Sequence, residues 1–391
     1  MMFSYKWNML AMPDKRILFV TGTRADFGKL KSLIEKVDSL AGFEPDIFVT
    51  GMHMLSKYGM TSIEVERLGI KSTYKYINQN ASDSMDIILA KTIAGLSDYV
   101  HEVKPDMIVV HGDRVEAMAG AIVGSLNNIL VGHIEGGEVS GTIDELIRHS
   151  ISKMAHTHFV CNEQARQRLI QLGEVPSSIF VIGSPDLDVM GSASLPTLAQ
   201  SKQKYGIEFE RYAVLMYHPV TTELELLPQN IKNTVQAALQ SGDNFVVVYP
   251  NNDHGSDVIL HELQQLQSHP RFRVFPSIRF EHFLTLLKNC DYMLGNSSAG
   301  VREAPYYGVP TVNLGSRQLN RAKASSIFHA EEQIDSVLAA IAACKKGSFA
   351  VTNEFGDGNS ATLFAEQLCS DEFWQISKQK VFVDSQDSRG K

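Results

Sequence analysis

Short runs of β-branched and aliphatic residues alternate along this chain with longer segments whose apolar residues recur every three or four positions. The first run, RILFVTG (16–22), ends in glycine and leads into TRADFGKLKSLIEKVDSL, which has helical spacing. Together they predict a strand, a turn and an amphipathic helix. EPDIFVTG repeats the strand signal, SMDIILAKTIAGLSDYVHEV predicts a second helix, and DMIVVHGD a buried strand. The pattern runs on through ILVGHIEGG, THFVCN, a helix at 163–172 and a strand over SIFVIGSPDLD. Residues 192–198 turn small and polar, with Pro196, and then the alternation restarts. YAVLMYHPV, NFVVVYPNND, FRVFPS, DYMLGNSS and PTVNLG are five further strand candidates with helices between them. Strands alternating with helices predict a parallel, doubly wound sheet. The fold class is therefore α/β, with two Rossmann-like doubly wound domains and an interdomain cleft. The expected division is an extension at 1–15, domains at 16–188 and 189–360, a helix at 361–376 and a polar tail at 377–391. The final stretch, VDSQDSRGK, reads as disordered.

A chain of 391 residues has room for two cores of ordinary size. Lys and Arg number 36 against 44 Asp and Glu, a net charge of −8. That acidic balance argues against nucleic acid or an anionic membrane as partner and favours a small molecule. Cys161, Cys290, Cys344 and Cys369 show no CxxC spacing and sit in or near apolar runs, so they read as buried free thiols. No apolar run is long enough to span a bilayer, and the first residues lack a signal-peptide core. The reading is a cytoplasmic protein.

In an open parallel sheet the carboxyl ends of the strands border the ligand crevice. Asp113 closes one buried strand, Glu135 the next, and Asp144 opens the helix that follows. The three acids are thus expected to converge at that rim as candidates for proton transfer. Each alone reads as a satisfied strand-end carboxylate; three at adjacent strand ends are harder to assign to structure. Neighbouring carboxylates raise one another's pKa, which lets a general base and a general acid coexist near neutrality. Thr142 to Glu145 matches the capping box S/T-x-x-E, which accounts for Glu145 but does not require Asp144. Arg148 lies four residues after Asp144, on the same helix face, placed to pair with it.

GNSSAGVREAPYYGVP (295–310) is the best anion-site candidate. Asn296, Ser297 and Ser298 are suited to cap a helix after a strand, and Ala299 and Gly300 let a ligand approach the backbone. Free amides at a helix start favour phosphate; the plainer alternative is an N-cap with small residues for packing. Glu303, a turn on, is suited to ribose hydroxyls. Arg24, directly after the first strand, presents a fork of donors for a diphosphate. His218 sits at the end of the second half's first strand, facing the same crevice; alone it reads as structural, pinned by Pro219 and a threonine hydroxyl. Neither GxGxxG nor GxxxxGK[ST] occurs, so neither a dinucleotide fingerprint nor a Walker loop is supported. A cleft between two such halves still suits a nucleotide-bearing ligand. His156 and His158 are the sole histidines at ligand-like spacing and read as alternating faces of a buried strand, so no metal is expected.

GTRADFGKL, HGDR, GHIEGGEVSGTIDELIRHSISKMAH, HPVTT, PNNDHGS, GNSSAGVREA and NLGSRQ, in this order, resemble the hydrolysing UDP-N-acetylglucosamine 2-epimerases of sialic acid biosynthesis. The resemblance covers about residues 16 to 365. It implies a GT-B-like fold with UDP in the interdomain cleft, no cofactor and no metal needed for chemistry. It also implies a dimer or tetramer, and GDGNSATLFAEQLC as a helix crossing back to the first domain. The implied reaction converts UDP-GlcNAc and water into N-acetylmannosamine and UDP. A base removes the carbon-2 proton, UDP leaves by anti elimination to give 2-acetamidoglucal, and water adds with inversion at carbon 2. On this resemblance Asp113, Glu135 and Asp144 match the catalytic acids. Arg24 and His218 match diphosphate-side residues, Ser297 and Ser298 the phosphate-binding turn, and Glu303 the ribose-binding glutamate; Asn251 and Arg148 fall in matching motifs and are expected to bind substrate as well. HIEGG and DELIRH, with Asp in place of Glu, favour the hydrolysing branch over the non-hydrolysing one, which carries HxEAG and a PEExxR-like segment. Rival readings are the same reaction on a 2,4-diacetamido-trideoxy UDP-sugar for legionaminic acid synthesis, a GT-B glycosyltransferase, and a non-catalytic UDP-sugar-binding protein.

Overall fold

A computed structural model describes residues 15–80, 83–140 and 143–384. Seven parallel strands build the first sheet: β1 (Lys15–Thr21), β2 (Phe43–Val49), β3 (Ser72–Lys75), β4 (Met107–His111), β5 (Leu130–Ile134), β6 (Thr157–Val160) and β7 (Ile179–Val181), in the order β3-β2-β1-β4-β5-β6-β7. Six more build the second: β8 (Ala213–Met216), β9 (Phe245–Val248), β10 (Phe272–Phe275), β11 (Met293–Gly295), β12 (Thr311–Leu314) and β13 (Ile327–Ala330), in the order β10-β9-β8-β11-β12-β13. The chain alternates strand and helix through both halves, as its hydrophobic pattern requires. Central strands are apolar on both faces because helices cover both: Ile17 and Phe19 of β1 enter one core, Leu18 and Val20 the other.

In each sheet the strand order reverses at one point, between β1 and β4 and between β8 and β11. The carboxyl ends of strands flanking such a point leave a crevice. The two crevices border one interdomain cavity of about 270 Å³.

The structure corrects several expectations. The strand read over SIFVIGSPDLD ends at Val181, and Asp186–Met190 is a short helix after Pro185. Strands β3 and β13 carry no long apolar run and were not anticipated. Cys161, Cys290 and Cys344 are buried as expected, but Cys369 is exposed. The capping box at Thr142 falls outside the described residues, as do residues 1–14 of the extension and 385–391 of the tail. The described part of the tail lies against the first domain: Lys380 pairs with Glu174, and the Val383 amide donates to the Gly173 carbonyl.

The helix Ser360–Leu368 belongs spatially to the first half. Phe364 and Leu368 join the core of Ile17 and Leu30, and Asp188 accepts from the Ser360 and Ala361 amides at 2.8 and 2.7 Å. No described helix is long and apolar enough to cross a membrane.

Candidate active site

The first wall of the cleft starts where β1 turns into the helix Arg24–Asp38. Thr23 and Asp26 form a capping box there: the Asp26 amide donates to the Thr23 hydroxyl at 3.2 Å, and the Asp26 carboxylate accepts from the Thr23 amide. This places Arg24 in the first helical turn with its side chain spanning the gap between domains. Nη1 donates to Ser277 at 2.6 Å on the far side, and Nη2 to Glu64 at 2.7 Å.

The second wall is the turn after β11. Gly295 holds φ +133 and Ser297 caps the turn, its hydroxyl accepting from the Ala299 amide. The helix expected after it is reduced to a 3-10 turn, Ser298–Gly300, and a short helix, Glu303–Tyr306. What this turn can offer a ligand is therefore its amides and hydroxyls rather than a long macrodipole. Asn296 clamps His218 from both sides, accepting from its amide at 2.7 Å and donating to its carbonyl at 2.9 Å. His218 Nδ1 accepts from the Asn251 amide at 3.1 Å, in place of the expected threonine hydroxyl. An imidazole that accepts at Nδ1 keeps its proton on Nε2. Burial, with Arg317 and Arg114 nearby, holds this ring neutral by pushing its pKa well below the usual value. Asn251 and His218 both line the cavity.

The acids come from the first domain. Asp113 follows β4 through Gly112 at φ +72, and Asp144 lies in the first turn of the helix Ile143–Met154. Both line the cavity with Arg24, Ser297, Ser298 and Glu303. Arg148, expected to pair with Asp144, pairs with Asp113 instead, while Asp144 pairs with Arg317 of the second domain at 2.8 Å. The helix turn that puts Arg148 near its i−4 neighbour also buries it at 2% exposure, and there the Asp113 carboxylate at the end of β4 reaches it.

Glu135 differs from the other two. It holds φ +63, rare for a residue with a side chain, and at 4% exposure it does not line the cavity. Arg302 Nη2 lies 2.5 Å from its Oε1, Lys29 Nζ 3.5 Å from the same oxygen, and His111 Nε2 3.2 Å from Oε2. Burial opposes its charge, but Arg302 foremost, then Lys29 and His111, hold its carboxyl well below the usual range. The expectation that clustered acids raise one another's pKa fails at Glu135, because each acid has a guanidinium: Asp113 has Arg148, Asp144 has Arg317 and Glu135 has Arg302. Glu303, also buried, behaves the other way. Burial raises its pKa, Lys29 at 3.7 Å offsets this only in part, and its Oε2 has no partner among the described residues.

Lys29, Arg302 and Arg317 were missed by the reading of the residues. Two carried a usable signal. Lys29 is one turn before Leu33 on the apolar face of its helix, and Arg302 is embedded in the small, apolar stretch AGVREAP. A charge in such a place is buried, and a buried charge implies a partner. Among the described residues, no three His, Cys, Asp or Glu side chains are grouped to hold a metal. His156 and His158 do not alternate along one strand as expected: His156 lies just before β6 and accepts from the Val131 amide, while His158 within it pairs with Glu174.

A family model described as UDP-N-acetylglucosamine 2-epimerase matches residues 35–369. The chain is 50% identical over 374 residues to the UDP-N-acetylglucosamine 2-epimerase of Neisseria meningitidis serogroup B, covering 95% of this chain and 99% of that one. It is 34% identical over 352 residues to the UDP-N,N'-diacetylbacillosamine 2-epimerase (hydrolyzing) of Legionella pneumophila, covering 89% and 93%. Its fold is similar to the crystal structure of UDP-GlcNAc 2-epimerase from Neisseria meningitidis bound to UDP-GlcNAc. The TM-score is 0.77 at 20% identity, over 90% of this chain and 99% of that one.

Proposed function

The chain belongs to the UDP-N-acetylglucosamine 2-epimerase family, and from that membership we propose that it is a hydrolysing epimerase, converting UDP-GlcNAc and water into N-acetylmannosamine and UDP. One observation carries the reading. Two carboxylates, Asp113 and Asp144, face a turn of small polar residues, Ser297 and Ser298, across a single cleft that also holds Arg24 and His218. That arrangement separates the two tasks of an elimination: carboxylates where a proton moves, and neutral or cationic donors where a diphosphate departs.

In the proposed sequence a carboxylate takes the carbon-2 proton. The C2–H electrons form the C1=C2 bond, and the bond from carbon 1 to the diphosphate oxygen breaks with its electrons leaving on UDP. Arg24, the His218 Nε2–H and the Ser297–Ser298 turn receive that charge. Glu303 takes the ribose, and Asn251, through its amide, fixes the imidazole. Water then adds to 2-acetamidoglucal, its hydroxyl to carbon 1 and its proton to carbon 2 on the opposite face. Arg148 orients Asp113.

The 50% identity to a UDP-N-acetylglucosamine 2-epimerase supports UDP-GlcNAc as substrate. The Legionella relative, whose name specifies hydrolysis, favours the hydrolysing outcome and sustains a second reading: the same chemistry on a diacetamido UDP-sugar. We place the reaction in the cytoplasm, in nonulosonate (sialic acid) synthesis. Turnover in H2(18)O is the test. Elimination and hydration put the label on carbon 1 of free N-acetylmannosamine and none in UDP; label in UDP, or product still bearing UDP, contradicts the proposal. Consumption of the diacetamido sugar alone would move the substrate assignment to the second reading.

A further inference from the structure

Buried charges persist only where they are paired, and one buried group of them joins the two domains. Arg302 of the second domain is 2% exposed and lies against residues of the first. Its Nη1 donates to Glu138 at 2.6 Å, and its Nη2 to Glu135 at 2.5 Å and to the Ser184 hydroxyl. The guanidinium carbon stands 4.6 Å from the centroid of the Phe355 ring, which fixes the plane of the fork. A planar fork with both ends occupied holds each carboxylate in one orientation. Glu135 needs such a hold, because its φ of +63 persists only where the surroundings enforce it.

We propose, building on the resemblance-based reading of Glu135 as a third acid of the carbon-2 chemistry, set just behind the cavity wall, that Arg302 is a positioning residue: it orients Glu135 from across the domain boundary. The groups facing Glu135 come from three elements. Arg302 comes from the second domain, Lys29 from the helix Arg24–Asp38 at 3.5 Å, and His111 from the end of β4 at 3.2 Å. Lys29 is shared with Asp186 and Glu303 at 3.3 and 3.7 Å, so it cannot replace Arg302 fully. On the far side of Arg302, Glu138 is also held by Arg321 at 2.9 Å, and Cys161 Sγ lies 3.7 Å from Nη2. Burial works against both carboxylates, yet Arg302 leads the cations that keep Glu135 far below its usual range and bring Glu138 down to about 2. Removing Arg302 lets burial prevail. The proton affinity of Glu135 rises, and the acid limb of carbon-2 chemistry moves to higher pH.

The test uses Arg302→Gln and Arg302→Lys in the full chain, following deuterium incorporation at carbon 2 of UDP-GlcNAc-derived product against pH, with UDP affinity measured alongside. For R302Q we expect kcat to fall about 30-fold or more at neutral pH, with UDP affinity and KM within about 3-fold. The acid limb should move up by roughly one pH unit or more, and R302K should recover much of both. If R302Q melts early, Arg302→Gln with Glu138→Gln, which removes the charge of the second carboxylate that Arg302 held, carries the same measurement. A loss equal at every pH, an unmoved limb in both variants, or wild-type kcat in R302Q overturns the proposal. Carbon-2 exchange scores Arg302 whichever nucleotide product forms. Free N-acetylmannosamine against UDP-N-acetylmannosamine in the same samples scores the hydrolysing reading separately.

Discussion

Asp113 and Asp144 occupy neighbouring elements on one wall of the cleft, and each is oriented by a guanidinium whose partner choice is set by tertiary packing. Changing either to asparagine keeps its volume and removes its charge. Asp113→Asn and Asp144→Asn should each lower kcat by about 100-fold or more, roughly 2.7 kcal/mol in the barrier. UDP affinity, by titration calorimetry, should stay within a few-fold. Wild-type turnover in both variants would remove these acids from the reaction. At this scale the acids themselves were legible, because a carboxylate at the end of a buried strand is a local property of the sequence. Their partners were not. Arg148 lies 35 residues from Asp113, Arg317 lies 173 from Asp144 and Arg302 lies 167 from Glu135, and no local pattern ties residues so far apart.

Among the elements, the junction of β8 and β11 shapes the turn that carries Ser297 and Ser298. Gly295 ends β11 at φ +133, and a Cβ built there would stand 1.9 Å from the Met216 carbonyl oxygen of the paired strand. Gly295→Ala must therefore push the two strands apart or turn the backbone away from Ser297. It should lower stability by about 2–4 kcal/mol and weaken UDP binding. Gly242→Ala is the control: it also has positive φ but open space around its Cβ, so it should cost only about 1 kcal/mol and leave binding intact. Comparable melting temperatures for the two variants would refute the steric account. The major strands were legible from their apolar runs, whereas β3 and β13 were not. They are four-residue edge strands whose residues are mostly half-buried or exposed, so neither alternation nor a hydrophobic run marks them. The over-long strand at 178–188 has a plain cause: Pro185 opens a helix immediately after an apolar run.

For the molecule as a whole, two domains of the same winding put their switch points face to face. The acids stand on one side, the small-residue turn on the other, and arginines of the second domain reach the acids of the first. The alternation of strands and helices was enough to expect two doubly wound halves and a cleft. It held no information on how the halves face one another, which depends on cross-domain pairs such as the buried Arg302 with Glu138 and the half-buried Arg114 with Asn252. Within this cleft, on the proposed function, a carbon-2 proton is removed, UDP is expelled and water is added. Proton NMR of the protein with UDP-GlcNAc in deuterium oxide tests this most directly. Free N-acetylmannosamine deuterated at carbon 2 should appear in step with released UDP. Product retaining its carbon-2 proton, or UDP-N-acetylmannosamine accumulating with the nucleotide attached, would contradict it.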